Sequence, residues 1–191
     1  MGVGVWAWSM VHGAIVQTRD NSAFERRVRN RELWSHVVRN GDLVGRLIIP
    51  RLHLRATVRE GAGEDTLAVA LGHIPGTALP GRSGNVGVAG HRDTLFRVLR
   101  KIAEKDQIEF QTAAGIYQYE VVTTEIVPPE DVGVLAPGEQ PEITLVTCYP
   151  FHYVGSAPDR FVVKARLVSQ AVSEWSERRS SLPPSPPSAH R

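Results

Sequence analysis

The sequence predicts a mainly β domain that is either a closed barrel or a sandwich. From Gly41 onward, short runs rich in β-branched residues alternate with Gly and Pro, and helical periodicity fades. These runs recur at fairly even spacing, which is typical of both architectures. The chain has 191 residues, enough for one domain with a hydrophobic core and short for two.

The composition is that of an ordinary globular protein, with 42% hydrophobic and 22% charged residues. A formal net charge of +2 gives no electrostatic footprint for nucleic acid, so nucleic-acid binding is not predicted. The sequence contains neither a zinc-like Cys/His spacing nor a phosphate-binding loop, and we expect no metal and no cofactor. Cys148 is the single cysteine, so it cannot form an internal disulfide and leaves a free thiol.

Residues 1–17 form an apolar leader, and the run from Met1 to Val16 carries no formal charge. The leader is shorter than the ~20 apolar residues of a membrane-spanning helix. It also lacks the basic n-region and the small-residue cleavage site of a signal peptide. Two interpretations stay open: the leader packs on the domain, or it is the end of a membrane anchor that begins upstream.

Residues 18–40 are predicted to form an N-terminal helix that begins near Ser22, where Ser22 and Glu25 match a capping box. Apolar residues recur along it at near-helical spacing, and arginines give it a basic surface. Basic residues directly after an anchor normally favour the cytoplasmic side. That preference conflicts with the extracytoplasmic location implied by the resemblance described below.

The rest of the domain reads as strands with two short helical segments. Seven runs are predicted to be strands: LVGRLIIP, HLRATVRE, GNVGVAGH, DQIEFQT, GIYQYEVVTTEIV, EITLVTC and RFVVKARLV. The stretch DTLAVALGHIPGTALPG begins like a short helix and then breaks into turns, and DTLFRVLRKIA is predicted to be a second short helix. Residues 169–191 are Pro/Ser-rich and are predicted to be a disordered tail.

Alternation along the strands places three reactive side chains outside the core. Side chains of a strand point to opposite faces in turn. In the last predicted strand Phe161 and Val163 must face the core, so Arg160 faces outward. The same arithmetic turns Cys148 and His91 outward. Because a structural cysteine is usually buried, this position weighs against a purely structural role for Cys148.

A thiol, an imidazole and a guanidinium can together form a covalent catalytic site. The thiolate attacks a carbonyl carbon, a histidine protonates the leaving amine, and an arginine donates hydrogen bonds to the developing oxyanion. The chain has seven histidines, so chance pairing is easy. Spacing alone does not choose His91 over His73 or His152.

Three separated segments resemble the signature segments of sortases, the cysteine transpeptidases that attach proteins to cell surfaces. They are AGHRDTLF, TLVTC and APDRF, and they occur in the family's order. The resemblance covers about Gly41 to Val168 and is closest to the class D sortases. It implies that residues 41–168 are the catalytic domain, folded as a sortase-type closed β-barrel of about eight strands with short helices.

The resemblance also implies the roles of the site residues. Cys148 matches the nucleophile, His91 the catalytic histidine and Arg160 the catalytic arginine. The implied reaction cleaves a C-terminal sorting motif of the Leu-Pro-x-Thr-Gly kind through a thioacyl enzyme. An amine acceptor on the cell surface, either a cell-wall peptide or a protein lysine, then takes over the acyl group. The implied location is extracytoplasmic, with membrane association through the N-terminus.

Residues near these three receive structural assignments. His73 is expected to be structural or at the rim of the groove, and His152 to be a solvated loop residue. Thr147 is expected to pack inward, and Asp93 to cap the helix that follows it. The acidic cluster of Glu60, Glu64 and Asp65 is too sparse to predict a metal site.

Other functions stay open at this stage. The sequence has no Asp-Pro-aromatic lid motif, no hydrophobic C-terminal segment and no complete anchor. Lacking the first two, it favours a housekeeping or class D-like enzyme over a pilin polymerase. The alternatives are a cysteine peptidase of the same architecture that hydrolyses its substrate, and a barrel that binds peptides without catalysis.

Overall fold

The computed structural model describes residues 38–153 and 155–172, together with Ser22. The apolar leader, almost all of the predicted N-terminal helix and most of the predicted tail lie outside the described residues. Residues 38–40 are described and are not helical, so the predicted helix does not extend to residue 40. None of the helices in the described part of the chain is long and apolar enough to cross a membrane.

Eight strands form a closed barrel, as the resemblance to sortases implies. They are β1 (Leu43–Ile49), β2 (Leu54–Glu60), β3 (Leu71–His73), β4 (Asn85–Ala89), β5 (Gln107–Gln111), β6 (Gly115–Val127), β7 (Glu142–Tyr149) and β8 (Asp159–Val172). Around the barrel their order is β1-β2-β3-β4-β7-β8-β6-β5. The pairs β2–β3 and β4–β7 are parallel, and the other pairs are antiparallel.

One strand and the end of another differ from the prediction. Strand β3 was predicted as part of a helix followed by turns, because three residues are too few to show an alternating pattern. Strand β8 continues to Val172, so residues 169–172 belong to the barrel and the tail cannot begin at Ser169. The reason is the length of β6, whose 13 residues supply pairing partners for β8 as far as Gly115↔Val172.

The helical segments are short. They are α1 (Glu64–Leu67) and three 3-10 helices, η1 (Pro50–Leu52), η2 (Leu95–Lys101) and η3 (Val132–Leu135). The expectation that Asp93 caps the second predicted helix is wrong, because the N-cap of η2 is Thr94 and no side-chain hydrogen bond caps it. The carbonyl of His91 accepts a hydrogen bond from Phe96 N at 3.1 Å, which satisfies a first-turn donor without a side-chain cap.

Apolar side chains from all eight strands fill the barrel. The largest fully buried ones include Tyr119, Phe110 and Leu47, and η2 adds Phe96 and Leu99. Each large side chain of this kind stabilises the fold by about 1.5–3 kcal/mol relative to the exposed state. The interior is therefore a packed core, and any reactive group must lie on the outside of the wall.

A second cluster covers part of the outer wall. Val134 and its neighbour Leu135 come from η3 and pack against Val162 of β8 and Val146 of β7. Asn85 of β4 lies on this outer face and is nevertheless buried, because its amide donates to Val134 O at 3.1 Å. The η3 segment therefore covers the outer surface of the wall at the first residues of β4 and β7.

Asp106 joins two separated turns. Arg51 donates through Nη2 to one carboxylate oxygen at 2.5 Å and through Nε to the other, and Ala103 N donates to the same carboxylate at 2.8 Å. Hydrogen bonds from Arg51 are the main cause that lowers the pKa of Asp106, and the Ala103 amide adds to it. A carboxyl group with a lowered pKa stabilises the fold above its unfolded pKa, and this stabilisation is lost as the pH falls through the folded value.

We predict that Asp106→Asn lowers the free energy of unfolding at pH 7 by about 1 kcal/mol, because Asp106 is 7% exposed but Arg51 is 52% exposed to water. The deficit should shrink as the pH falls below about 4. Urea unfolding between pH 7 and pH 3 measures it. The matched control is Glu104→Gln, which removes one exposed negative charge nearby. A deficit that is independent of pH would contradict the assignment.

Candidate active site

Strand β7 carries Cys148 one residue before its end, with β8 on one side and β4 on the other. In the antiparallel β7–β8 pair Cys148 lies directly opposite Arg160. Side chains of directly opposed residues point to the same face, with their Cβ atoms about 4.5–5.5 Å apart. The register therefore places the thiol and the guanidinium next to each other on the outer wall.

His91 reaches the other side of Cys148 through the parallel β4–β7 pair. The register runs to Ala89↔Val146, and two further hydrogen bonds extend it. Gly90 N donates to Val146 O at 3.2 Å, and the Thr147 hydroxyl donates to Gly90 O at 2.7 Å. His91 follows Gly90 directly, and the next position of this register on β7 is Cys148.

Gly90 has no space for a side chain. A Cβ at this position would lie 2.7 Å from Leu71 Cδ2 and 2.7 Å from Phe96 Cδ2, so a side chain here would have to displace these buried residues. Thr147 faces inward and is buried, which agrees with the packing expected from alternation. Its hydrogen bond to Gly90 was not predicted, because the two residues are far apart in the sequence.

The three residues lie where the outer cluster ends. Val146 is the last side chain of β7 that packs against the η3 cluster, and Cys148 is the next residue on the same face. Cys148 and Arg160 are partly exposed, and the His91 side chain is 30% exposed. The site is therefore open to solvent, next to the apolar cluster that η3 covers.

The guanidinium of Arg160 is anchored at one corner. Nη1 donates to Asp159 O at 3.0 Å and to Ala157 O at 3.4 Å. An arginine side chain has five N–H donors in a planar fork. Among the described residues no acceptor binds Nε or Nη2, so these donors remain available for a ligand carbonyl next to Cys148.

Glu64 contacts His91, which the sequence did not predict. Oε1 of Glu64, in the first turn of α1, lies 3.5 Å from Nε2 of His91. Glu64 is 84% exposed, and ion pairs between exposed groups contribute about 0.2–1 kcal/mol. Glu64 can orient the imidazole, but this contact is too weak to hold it alone.

The other two histidines considered as catalytic candidates, His73 and His152, have different environments. His73 is buried, with Nδ1 2.7 Å from Glu60 Oε2 and Nε2 2.9 Å from Ala78 O. It joins β2 and β3 to the residues before β4, so the structural interpretation is confirmed. His152 is exposed in the connection between β7 and β8, as expected for a solvated loop residue.

Aromatic packing supports the strand ends beneath the site. Phe151 contacts Phe161 with ring centroids 5.2 Å apart, and Tyr149 lies 5.9 Å from Phe151 and 6.3 Å from Phe161. Tyr149 and Phe161 flank Cys148 and Arg160 in the sequence and point to the opposite face. The outward direction of the two site residues is thus supported by the inward packing of their partly buried neighbours.

A solvent-accessible thiol between an imidazole and a guanidinium has the group types that a thiol-dependent acyl-transfer enzyme uses. Comparison with known proteins agrees with this class. The model of the sortase family, described as "Sortase domain", matches residues 47–168. The chain belongs to the sortase family.

Several sortases are similar over most of the described barrel. Sortase D of Bacillus subtilis (strain 168) is 35% identical over 130 residues, which cover 68% of this chain and 66% of that protein. Sortase A of Bacillus anthracis is 28% identical over 130 residues, or 66% of this chain and 60% of the relative. The structure of the Clostridium perfringens Sortase D5 transpeptidase superimposes with a TM-score of 0.72 at 28% identity, covering 81% of this chain and 99% of that one.

These matches confirm the resemblance to sortases, class D among them, and the barrel fold. Sortases are cysteine transpeptidases that act at the extracytoplasmic cell surface. The chain spans about two thirds or less of the length of these two curated relatives, 66% and 60%.

We predict that Thr147→Val destabilises the fold by about 1–3 kcal/mol, because Gly90 O loses its buried donor. The change should also lower turnover by loosening the link between the residues before His91 and Cys148. Thermal unfolding and peptide cleavage measure the two effects. Thr124→Val, at an exposed position of β6, is the control. Equal stability of the two variants would show that the Thr147 hydrogen bond does not stabilise the fold.

Proposed function

We propose that this chain is a sortase-type transpeptidase in which Cys148 is the nucleophile, His91 the general acid and base, and Arg160 the oxyanion-binding residue. The observation that supports the proposal is the register of β4, β7 and β8: Cys148 lies opposite Arg160, and the β4–β7 pairing ends at Ala89↔Val146, two residues before His91 and Cys148. The substrate is a protein that bears a C-terminal sorting motif of the Leu-Pro-x-Thr-Gly kind. The acceptor is an amine on the cell surface.

In the first half-reaction the thiolate of Cys148 attacks the threonyl carbonyl carbon. The carbonyl oxygen takes the negative charge in the tetrahedral intermediate, and a sulfur–carbon bond forms. When the intermediate collapses, the threonyl carbon–nitrogen bond breaks and the imidazolium of His91 gives its proton to the leaving amine. The C-terminal fragment departs, and a thioester on Cys148 remains.

Arg160 is suited to the oxyanion because its position is set before substrate arrives. Nη1 is tethered to two backbone carbonyls at the start of β8, Arg160 lies opposite Cys148 in the register, and Nε and Nη2 have no acceptor among the described residues. Donors that are already oriented toward the developing charge need no reorganisation in the transition state. A planar fork also binds better than a flexible ammonium in this role.

In the second half-reaction an amine attacks the thioester. Neutral His91 accepts the proton of the attacking amine, a carbon–nitrogen bond forms, and the carbon–sulfur bond breaks to regenerate the thiolate. A cell-wall peptide or a protein lysine supplies this amine. Water in place of the amine gives the hydrolysed product, so the acceptor decides between ligation and hydrolysis.

The proposed location follows from this chemistry. Secreted proteins and surface amines meet outside the cytoplasmic membrane, so the catalytic domain is extracytoplasmic. We propose membrane association through the N-terminal segment. That segment lies outside the described residues, and its support is the uncharged run from Met1 to Val16.

We predict that Cys148→Ala abolishes cleavage of a fluorogenic sorting-motif peptide, because no other cysteine can replace the nucleophile. Intact mass spectrometry of the wild-type enzyme should show the thioacyl adduct, and the variant should show none. Unchanged thermal unfolding of the variant controls for the fold. Cleavage by Cys148→Ala would contradict the assignment of the nucleophile.

With an amine acceptor present, we predict that the wild-type enzyme converts the peptide to a ligated product. The thioester reacts with a good amine faster than with water, and the yield should rise with amine concentration. Liquid chromatography with mass detection separates the ligated and hydrolysed products. Hydrolysis that no amine can divert would identify a peptidase of the same fold. Peptide binding without cleavage would identify a non-catalytic barrel.

We predict that Arg160→Lys lowers kcat by ~10²–10³-fold, as removal of an oxyanion donor does. The thiol should stay reactive toward iodoacetamide, because the nucleophile itself is unchanged. Arg166→Lys is the matched control, since it makes the same substitution on the same face of β8 but six residues from Arg160. Turnover of Arg160→Lys equal to that of Arg166→Lys would remove Arg160 from the mechanism.

A further inference from the structure

Arg92, the residue after His91, makes a contact that the mechanism above does not use. Its Nη2 donates to Tyr153 O and to Gly155 O, both at 2.9 Å. Its guanidinium carbon also lies 5.8 Å from the centre of the Tyr153 ring. Both hydrogen bonds are charge-assisted, and such bonds are about twice as strong as neutral ones.

These contacts join two parts of the candidate active site. Tyr153 and Gly155 belong to the β7–β8 connection, of which the structure describes residues 150–153 and 155–158; the connection begins two residues after Cys148 and ends just before β8. Arg92 belongs to the segment that carries His91. The guanidinium therefore ties the connection between Cys148 and Arg160 to the backbone next to His91.

We propose that Arg92 is a positioning residue that holds the β7–β8 connection in the conformation that accepts the sorting peptide. This inference rests on the function proposed above. The connection borders the open face beside Cys148, so its conformation sets the width of the opening at the site of attack. Arg92 itself does not touch the reacting atoms.

Both acceptors are backbone carbonyls, so substitutions of Arg92 remove the hydrogen bonds, whereas substitutions of the Tyr153 side chain do not remove the acceptor. A glutamine in place of Arg92 is too short and has no charge, so both bonds are lost. A lysine keeps the charge and can donate to a carbonyl, but it lacks the fork. Tyr153→Ala removes the ring and leaves the Tyr153 carbonyl in place. Because Tyr153 is 47% exposed, the contact of its ring with the guanidinium is the weaker part of the interaction.

The expected kinetic effect is on substrate binding. If the accepting conformation becomes a minor state, the apparent affinity falls by the fraction that remains populated. For Arg92→Gln we expect KM for the sorting peptide to rise at least ~10-fold, because one hydrogen bond to a charged group already corresponds to that factor and both bonds are lost. At saturating peptide kcat should stay within about twofold of the wild-type value, because bound peptide selects the accepting conformation.

The experiment compares full-length wild-type enzyme with Arg92→Gln, Arg92→Lys, Tyr153→Ala and the control Arg97→Gln. Arg97 is an exposed arginine of η2, five residues along the chain, and lies outside the proposed machinery. Steady-state cleavage of the sorting peptide gives KM and kcat, and the alkylation rate of Cys148 by iodoacetamide reports the thiol. Hydrogen exchange of the peptide that covers residues 149–159 reports the connection without any substrate.

We expect the largest increases in exchange of the connection and in KM for Arg92→Gln, smaller increases for Arg92→Lys and Tyr153→Ala, and none for Arg97→Gln. Alkylation should be unchanged throughout. Exchange equal to that of Arg97→Gln would overturn the proposal, and so would a lower kcat with unchanged KM, which is the signature of general destabilisation. Failure of the wild-type enzyme to cleave the peptide would instead overturn the proposed function, while the exchange data would still report the contact.

Discussion

The candidate site depends on the backbone pairing of three neighbouring strands. Strand β7 pairs in parallel with β4 and antiparallel with β8, so Cys148 lies opposite Arg160 and the end of β4, two residues before His91, lies beside β7, although these residues are remote in the sequence. Backbone hydrogen bonds set this register, and a slip of one residue would turn Cys148 into the core. The packed interior resists such a slip, because inward residues of the same strands, such as Leu145 and Val163, are fully buried.

Hydrogen bonds beyond the strand ends extend this order to the reactive groups. Thr147 bonds to Gly90 one step before His91, and the Arg160 guanidinium is tethered to the carbonyls of residues 157 and 159. The contact between Glu64 and His91 is exposed and contributes little by comparison. Preorganisation here therefore comes from short links between backbone and side chain, which cost little entropy, rather than from surface ion pairs.

Along these three strands the outer wall has a covered part and an open part. Near the start of β4 and β7 it is covered by η3 through an apolar cluster and the buried Asn85 amide. Past Val146 it opens, and the thiol becomes accessible. A peptide can thus lie along a wall that is rigid on one side and bordered on the other by the β7–β8 connection, whose position we attribute to Arg92. A rigid scaffold that carries reactive residues at its loop ends is the usual arrangement for such chemistry.

By itself the amino-acid sequence determined the β-rich class, seven of the eight strands and the outward direction of Cys148 and Arg160, because a period of two is a local property of each strand. The three signature segments also identified the family without knowledge of any contact. Strand β3 was too short to show a period, and the end of β8 depended on its partner β6 rather than on its own composition. Only the tertiary structure decided which strands are neighbours, that outward-facing Asn85 is buried, and that Glu64, Thr147 and Arg92 reach the residues they contact. Such contacts join residues that are distant along the chain, and no local pattern in the sequence records them.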